Sequence, residues 1–347
     1  MSKSVHTAAM MVLIAGLFTA CKPDPSFDIK ATKEESISFV VPQGWPAPAY
    51  NFENNTLTNA GFYLGRKLFY DNRFSRDNST SCGSCHQAFA AFAQADHDLS
   101  HGVDGLVGNR NSPPIFNMNW HTSYFWDGGV NHIESQPINP IQNPVEMDEN
   151  LPNIIAKLSG DEQYKKMFKA AWGDETVTSQ RIFKSMAQFM GAMVSANARY
   201  DQYKRGDAVL TPEEENGLDI YNGKCASCHT APLFTDFSYR NNGLTVTALN
   251  DSGRARITHA PQDMQKFKVP SLRNLKYTAP YMHDGRIKTL EKVLDHYANG
   301  IHQSATLDPQ LQNGIQLNQQ QRSDLLAFLN TLNDESFVKD KRFHENQ

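Results

Sequence analysis

Five cysteines stand in this 347-residue chain, and four of them fall into two equal frames. Cys82-Gly83-Ser84-Cys85-His86 is the first and Cys225-Ala226-Ser227-Cys228-His229 the second. Cys-x-x-Cys-His is the pattern by which a c-type haem is attached. Two intervening residues let both sulfurs reach one porphyrin edge, where each thiol adds across a vinyl group. The histidine that follows turns its imidazole onto the iron. One frame alone could be a redox dithiol. Two of them, leaving a single cysteine with its own context, point to two covalent haems. Two short disulfides or a Cys/His zinc site are the alternatives that residue type leaves.

The remaining cysteine, Cys21, ends a targeting segment. Lys3 and His6 precede an apolar run from Ala8 to Ala20, closing Leu17-Phe18-Thr19-Ala20-Cys21. A basic start, a short apolar core and small residues before the break make a secretory signal, too short to cross a bilayer. Cysteine directly after small residues resembles a lipoprotein signal, so residues 1–21 read as a lipoprotein-type signal peptide with Cys21 lipidated. Ordinary cleavage leaving a free Cys21 is the alternative. Export to the periplasm, with that lipid as the membrane anchor, fits haem attachment outside the cytoplasmic membrane. Residues 22–50, with Pro23, Pro25, Pro42, Pro46 and Pro48, read as an extended tether. Hydrophobic residues at 39% and charged residues at 20% describe a folded chain, long enough for two domains. A net charge of −4 argues against a nucleic-acid partner.

The elements that must position the two frames are helical. A helix is expected from Thr58, with Ala60, Tyr63, Leu64 and Leu68 on one side and Phe62 and Phe69 on the other. It leads into the first frame. Loop is expected from Gln87 to Asn111, and irregular backbone pinned by five prolines from 112 to 147. Helical stretches follow at Leu151–Ala171, broken near Gly160, and at about Thr178–Tyr203. Thr211-Pro212-Glu213-Glu214 is a capping box that opens a short helix to Tyr221, delivering the second frame. Polar loop is expected from 230 to 268, and the last helices at Thr289–Tyr297 and Asn318–Leu332.

An internal repeat supports two units. Pro113 and Asn117 pair with Pro270 and Asn274, Asp127-Gly128 with Asp284-Gly285, and Ile133-Glu134 with Leu290-Glu291, every pair 157 positions apart. His86 and His229 are 143 apart, so the second unit carries an insertion after its frame. The expected class is mainly α: two cytochrome c-like haem domains related by duplication, with long irregular loops. The boundaries read as 51–205 for an N-terminal haem domain and 206–340 for a C-terminal haem domain.

The units differ where function should lie. The first has Gln136 and Glu146 after its Trp126-Asp127-Gly128 turn; the second has Val293 at the place of Gln136 and ends a helix Asp295-His296-Tyr297. One haem thus gains a carboxylate and an amide, the other a candidate iron ligand.

These features carry a resemblance. Ser81-Cys82-Gly83-Ser84-Cys85-His86, Arg110-Asn111-Ser112-Pro113, Phe125-Trp126-Asp127-Gly128, Asn143-Pro144-Val145-Glu146-Met147, Lys268-Val269-Pro270-Ser271-Leu272-Arg273-Asn274 and His283-Asp284-Gly285 together resemble the bacterial di-haem cytochrome c peroxidase family, including its methylamine-utilisation, MauG-like branch. The likeness covers about residues 55–335. It implies a peroxidase that reduces hydrogen peroxide to water with electrons from a small cytochrome c or cupredoxin. It further implies that His86 and His229 are proximal ligands, that Glu146 and Gln136 line the peroxide pocket, and that Trp126 relays electrons between haems. Asn111, Thr278 and Pro280 would hold a bridging calcium ion, whose ligands are hard oxygens.

Three departures qualify the resemblance. The sixth ligand of the C-terminal haem, usually methionine, is Tyr297 here, as in the methylamine-utilisation branch; His296, Met264 and Met282 are the alternatives. That substitution brings in a second reading, an oxidase that acts on a protein or organic substrate through a two-haem ferryl state; a non-enzymatic electron carrier is a third. His97 and His101 lie in the loop that supplies a closing histidine in typical members, but in no matching context, so an open peroxidatic haem is expected. The surface tryptophan that the methylamine-utilisation enzymes carry six residues before the second haem histidine is Gly223, which weakens protein oxidation by that route. Monomer and homodimer both stay open.

Overall fold

The computed structural model describes residues 36–95 and 97–345. The signal-type segment, Cys21 and the start of the expected tether lie outside the described residues.

Helices α1 (Asn59–Phe69), α2 (Cys82–Cys85), α3 (Ile138–Gln142), α4 (Leu151–Ser159), α5 (Glu162–Trp172) and α6 (Ser179–Ala192) build the first part of the fold. Helices α7 (Arg199–Arg205), α8 (Pro212–Lys224), α9 (Ala255–Thr258), α10 (Leu290–Asn299), α11 (Gln319–Asn330) and α12 (Glu335–Val338) build the second. Among the described residues strand is confined to β1 (Tyr239–Arg240) paired antiparallel with β2 (Phe267–Lys268). Among the described residues no helix is long and apolar enough to cross a membrane.

Each haem frame follows a helix that packs closely on a later one. Thr58 caps α1 by accepting from the Gly61 N–H. Gly65 of α1 lies against α6, where an added Cβ would sit 1.9 Å from the Ser185 carbonyl oxygen. The same device joins α8 to α11: a Cβ on Gly217 would sit 2.0 Å from the Asp324 carbonyl oxygen. Both pairs need backbone approach that any side chain would block.

Two apolar clusters result. The first gathers Phe62, Leu64, Leu68 and Phe69 of α1, Met186, Phe189 and Met190 of α6, and Phe337, Val338 and Phe343 from the end of the chain. The second gathers Tyr200, Tyr221, Phe234, Leu325 and Phe328. The clusters do not part at the expected 205/206 boundary. Tyr200 of α7 belongs to the second, and the chain returns to the first after residue 334.

The stretch expected as helix from 178 to 203 is two helices. Asn117, at φ 57°, takes the Ser195 N–H on its side-chain oxygen (2.8 Å) and donates to the Ser195 carbonyl (3.1 Å). Its own N–H donates to the Met193 carbonyl. These bonds claim the main-chain groups that a continuing helix would use. Asn274, at φ 63°, meets the segment after α11 in the same way, donating from its N–H to Leu332 and accepting the Asp334 N–H at 2.8 Å. Further pairs recur 157 positions apart: bridges Tyr124–Val130 and Tyr281–Ile287, and positive φ at Phe125 and Met282 and at Gly128 and Gly285.

Residues 36–50 are irregular and pack on the fold. Trp120 donates from Nε1 to the Pro46 carbonyl (2.8 Å), Trp45 meets Trp120 edge-on at 4.8 Å, and Ile37 is buried. Aromatic burial outweighs the entropy of a free tether here.

Candidate haem sites

Both Cys-x-x-Cys-His frames open into cavities. The first, of about 440 Å³, is lined by Cys82, Cys85, His86, Gln136, Glu146, Met147, Met186 and Trp126. The second, of about 400 Å³, is lined by Cys225, Cys228, His229, Met282, Val293, Tyr297 and again Trp126. Asn111 also lines both. Volumes of this size suit a large cofactor or ligand.

Local structure presents the attachment atoms. In the first frame α2 is a single turn, with Ser81 and Ser84 capping each other and the His86 N–H donating to the Cys82 carbonyl. In the second, Cys225 caps α8 and its carbonyl accepts from the His229 N–H. All four thiols are free, so neither frame is a short disulfide. Burial pushes the Cys82 thiol up to about 12 and Cys85 to about 11, helped in each case by a nearby acidic group. His86 Nδ1 donates to the Phe92 carbonyl at 2.9 Å, and His229 Nδ1 to the Pro270 carbonyl at 3.0 Å. Each bond fixes the tautomer and leaves Nε2 for iron. Free thiols, a free Nε2 and a cavity at the same wall fit a covalent haem in both places.

The far walls differ. Glu146 Oε1 accepts from Asn143 Nδ2 at 2.7 Å. Its main chain is held by Val103, whose N–H donates to the Glu146 carbonyl at 2.8 Å. Burial raises the Glu146 pKa above the ordinary carboxyl value, against the opposing pull of Asn143. Gln136 lines the same cavity from the end of a 3₁₀ turn, before α3. In the second cavity the corresponding wall carries Val293 and Tyr297, one turn apart on α10. Burial pushes the Tyr297 phenol up to about 12, a side-chain hydrogen bond from Asn242 opposing it.

The alternatives to Tyr297 separate. His296 donates from Nε2 to the Asn242 carbonyl at 2.9 Å, and Met264 is 45% exposed and outside the cavity. Met282 is inside it. Of the loop histidines, His101 lines the first cavity and His97 does not; their rings meet edge-on at 4.6 Å. Gly223 borders the second cavity, with nothing within 4 Å of an added Cβ.

Trp126 forms the shared wall. Its Nε1 donates to the Asn111 carbonyl at 2.8 Å, and its own carbonyl accepts from the Lys268 N–H at 2.8 Å. Arg110 binds Asp127 (2.6 Å) and Asp251 (2.6 Å), tying this turn to the insertion of the second half. Asn111 donates from its amide to the His97 and Asp98 carbonyls at 3.2 and 3.1 Å, and Thr278 and Pro280 line the second cavity with it.

Sequence reasoning missed four neighbours of these sites. Asn242 looked like an ordinary loop residue, and only the paired Asn241-Asn242-Gly243 turn signals it. Lys268 was visible within its motif, yet nothing in the motif foretold burial that pulls its amine down to about 7. Arg256 and Ile257 line the first cavity from α9, across the fold; no local signal could place them there.

The family described as di-haem cytochrome c peroxidase matches residues 59–209. The methylamine utilization protein MauG of Methylorubrum extorquens is 33% identical over 92% of this chain and 90% of its own length. The cytochrome c551 peroxidase of Nitrosomonas europaea is 32% identical, covering 78% of each chain. Among solved structures, a MauG-like protein associated with microbial copper homeostasis superimposes with a TM-score of 0.82 at 33% identity, over 88% of this chain and 98% of its own. With two haem-attachment frames, each opening into its own cavity, and relatives of both kinds along nearly its whole length, this chain belongs to the di-haem cytochrome c peroxidase family.

Proposed function

We propose that this protein reduces hydrogen peroxide to water, taking electrons from a small cytochrome c or cupredoxin. Cys82, Cys85 and His86 would hold one haem and Cys225, Cys228 and His229 the other, the two units having arisen by duplication. When bound, the haems supply the redox-active irons. Every other step belongs to the chain. Glu146 accepts a proton from the nearer oxygen of peroxide and returns it to the farther one as the O–O bond breaks, Oε2 being the atom free of Asn143. Gln136 orients peroxide by hydrogen bonds. Trp126 would relay electrons across the wall that it shares, and Tyr297 would supply a phenol oxygen as ligand to the second haem's iron. Asn111, Thr278 and Pro280 would hold a calcium ion near that wall. Signal and anchor would keep the protein in the periplasm at a membrane surface.

The observation that supports this reading most is the asymmetry about Trp126: a half-buried carboxyl with a raised pKa faces one cavity only. Raised carboxyls in clefts are suited to proton transfer near neutral pH. The test is the purified holoprotein. It should carry the mass of two haems, one fewer after Cys82→Ala/Cys85→Ala, and consume peroxide only while a reduced donor lasts. Two haems that leave peroxide untouched would return the protein to the electron carriers.

Tyr297 favours a second reading, an oxidase of the methylamine-utilisation kind. Tyrosinate ligation suits higher oxidation states better than a thioether does. One equivalent of peroxide, given to the ferric protein without donor, should then change both haem spectra; a change at one haem alone supports the peroxidase reading.

A further inference from the structure

Tyr297 of α10 and Met282 both line the second cavity, and each carries an atom able to ligate iron. They have opposite chemistry. A thioether stabilises reduced iron and a phenolate stabilises oxidised iron, so the choice between them sets what the second haem does. Asn242 lines the same cavity, and its Nδ2 donates to the Met282 sulfur at 3.3 Å.

Asn242 is itself held from two directions. Its carbonyl accepts from His296 Nε2 at 2.9 Å, the residue before Tyr297, so its position is tied to the helix turn that presents the phenol. Its predecessor Asn241 is 2% exposed and donates from Nδ2 to Ser304 (3.1 Å) and Thr306 (2.8 Å) while accepting the Gly243 N–H at 2.8 Å. An amide so fixed keeps the Met282 sulfur turned toward itself. The first half has no such arrangement, since the position matching Met282 is Phe125.

We infer that Asn242 is the positioning residue that selects Tyr297 over Met282 as the side chain reaching the second iron. Removing its amide frees the Met282 sulfur to compete with the phenol for the iron. The inference rests on Tyr297 being the ligand in the native protein, and the test separates the two.

Wild type, Asn242→Leu, Met282→Leu and the double variant are purified with both haems. Each is compared by near-infrared magnetic circular dichroism, electron paramagnetic resonance and redox titration. Wild type and Met282→Leu should both show the phenolate-to-iron charge-transfer signature. In Asn242→Leu it should fall at least tenfold, a thioether signature should replace it, and the midpoint potential of that haem should rise. The double variant should lose the thioether signature again. Asn242→Ala serves as the second variant and should behave like Asn242→Leu, so that crowding by leucine is not mistaken for loss of the amide. A phenolate signature undiminished in both Asn242 variants overturns the inference while leaving the Tyr297 reading intact. A wild-type protein without that signature overturns the reading and the inference with it.

Discussion

Glu146→Gln removes an ionisable proton and little else. The bond from Asn143 Nδ2 to Glu146 Oε1, 2.7 Å long, survives because a glutamine amide oxygen accepts it equally well. The main-chain bond from the Glu146 N–H to the Asn143 carbonyl, 3.0 Å, is untouched. What disappears is the capacity to take a proton. Positioned acid–base groups contribute about 10²–10⁴ in rate, and a factor of about 10² corresponds to about 2.7 kcal/mol of barrier. The stability effect has the other sign. Burial raises the carboxyl pKa in the folded protein, so folding disfavours the charged form. That cost is absent in acid, below the ordinary carboxyl value, and grows as pH rises through the raised pKa. The variant should therefore be no less stable than wild type at pH about 7, any advantage vanishing in acid. Stopped-flow reaction of the loaded protein with peroxide measures the rate, and thermal unfolding across pH measures the stability. A rate within about threefold of wild type, well inside the expected range, would refute the proton-transfer role. So would a rate loss matched by lost haem.

Three further outcomes follow from the same geometry. Asn143→Ala removes the bond that lowers the Glu146 pKa, so the acid limb of the peroxide rate, lost as pH falls through that pKa, should move to higher pH; a pH–rate profile that stays in place would contradict this. Trp126→Phe should slow donor-dependent turnover while both haems stay attached, and should cost about 1 kcal/mol in denaturant unfolding through the lost bond to Asn111. Arg273 is fully buried and binds Asp201 through both terminal nitrogens at 2.7 and 2.8 Å, so Arg273→Leu strands a buried carboxylate and should cost about 3–5 kcal/mol; an equilibrium unfolding difference under about 1 kcal/mol would contradict that.

How much of this was legible depends on how local the signal is. Thr58 and Thr211 cap helices where the residue pattern predicts their starts, because a cap is a bond across two or three residues. The gap between α4 and α5 falls at Gly160 as expected. The end of α6 was not readable, because Asn117, some 75 positions away, supplies the competing bonds. The boundary at 205/206 ignored the returning C-terminus for the same reason: Phe337 and Phe343 look like any terminal aromatics until the chain brings them against Phe92.

The residue string alone determined the attachment chemistry, since two sulfurs and an imidazole within five positions need no distant partner to reach one porphyrin. It also separated the two units, through the carboxyl at 146 and the phenol at 297. Only the folded chain decided that Trp126 would stand in both cavities and that His296 would turn away from the second one. It alone brought the Met282 sulfur to the Asn242 amide, in the cavity that Tyr297 also lines. Those relations join segments 15 to about 145 residues apart, for which a linear pattern holds no spacing rule, and burial and hydrogen-bond satisfaction in three dimensions settle them.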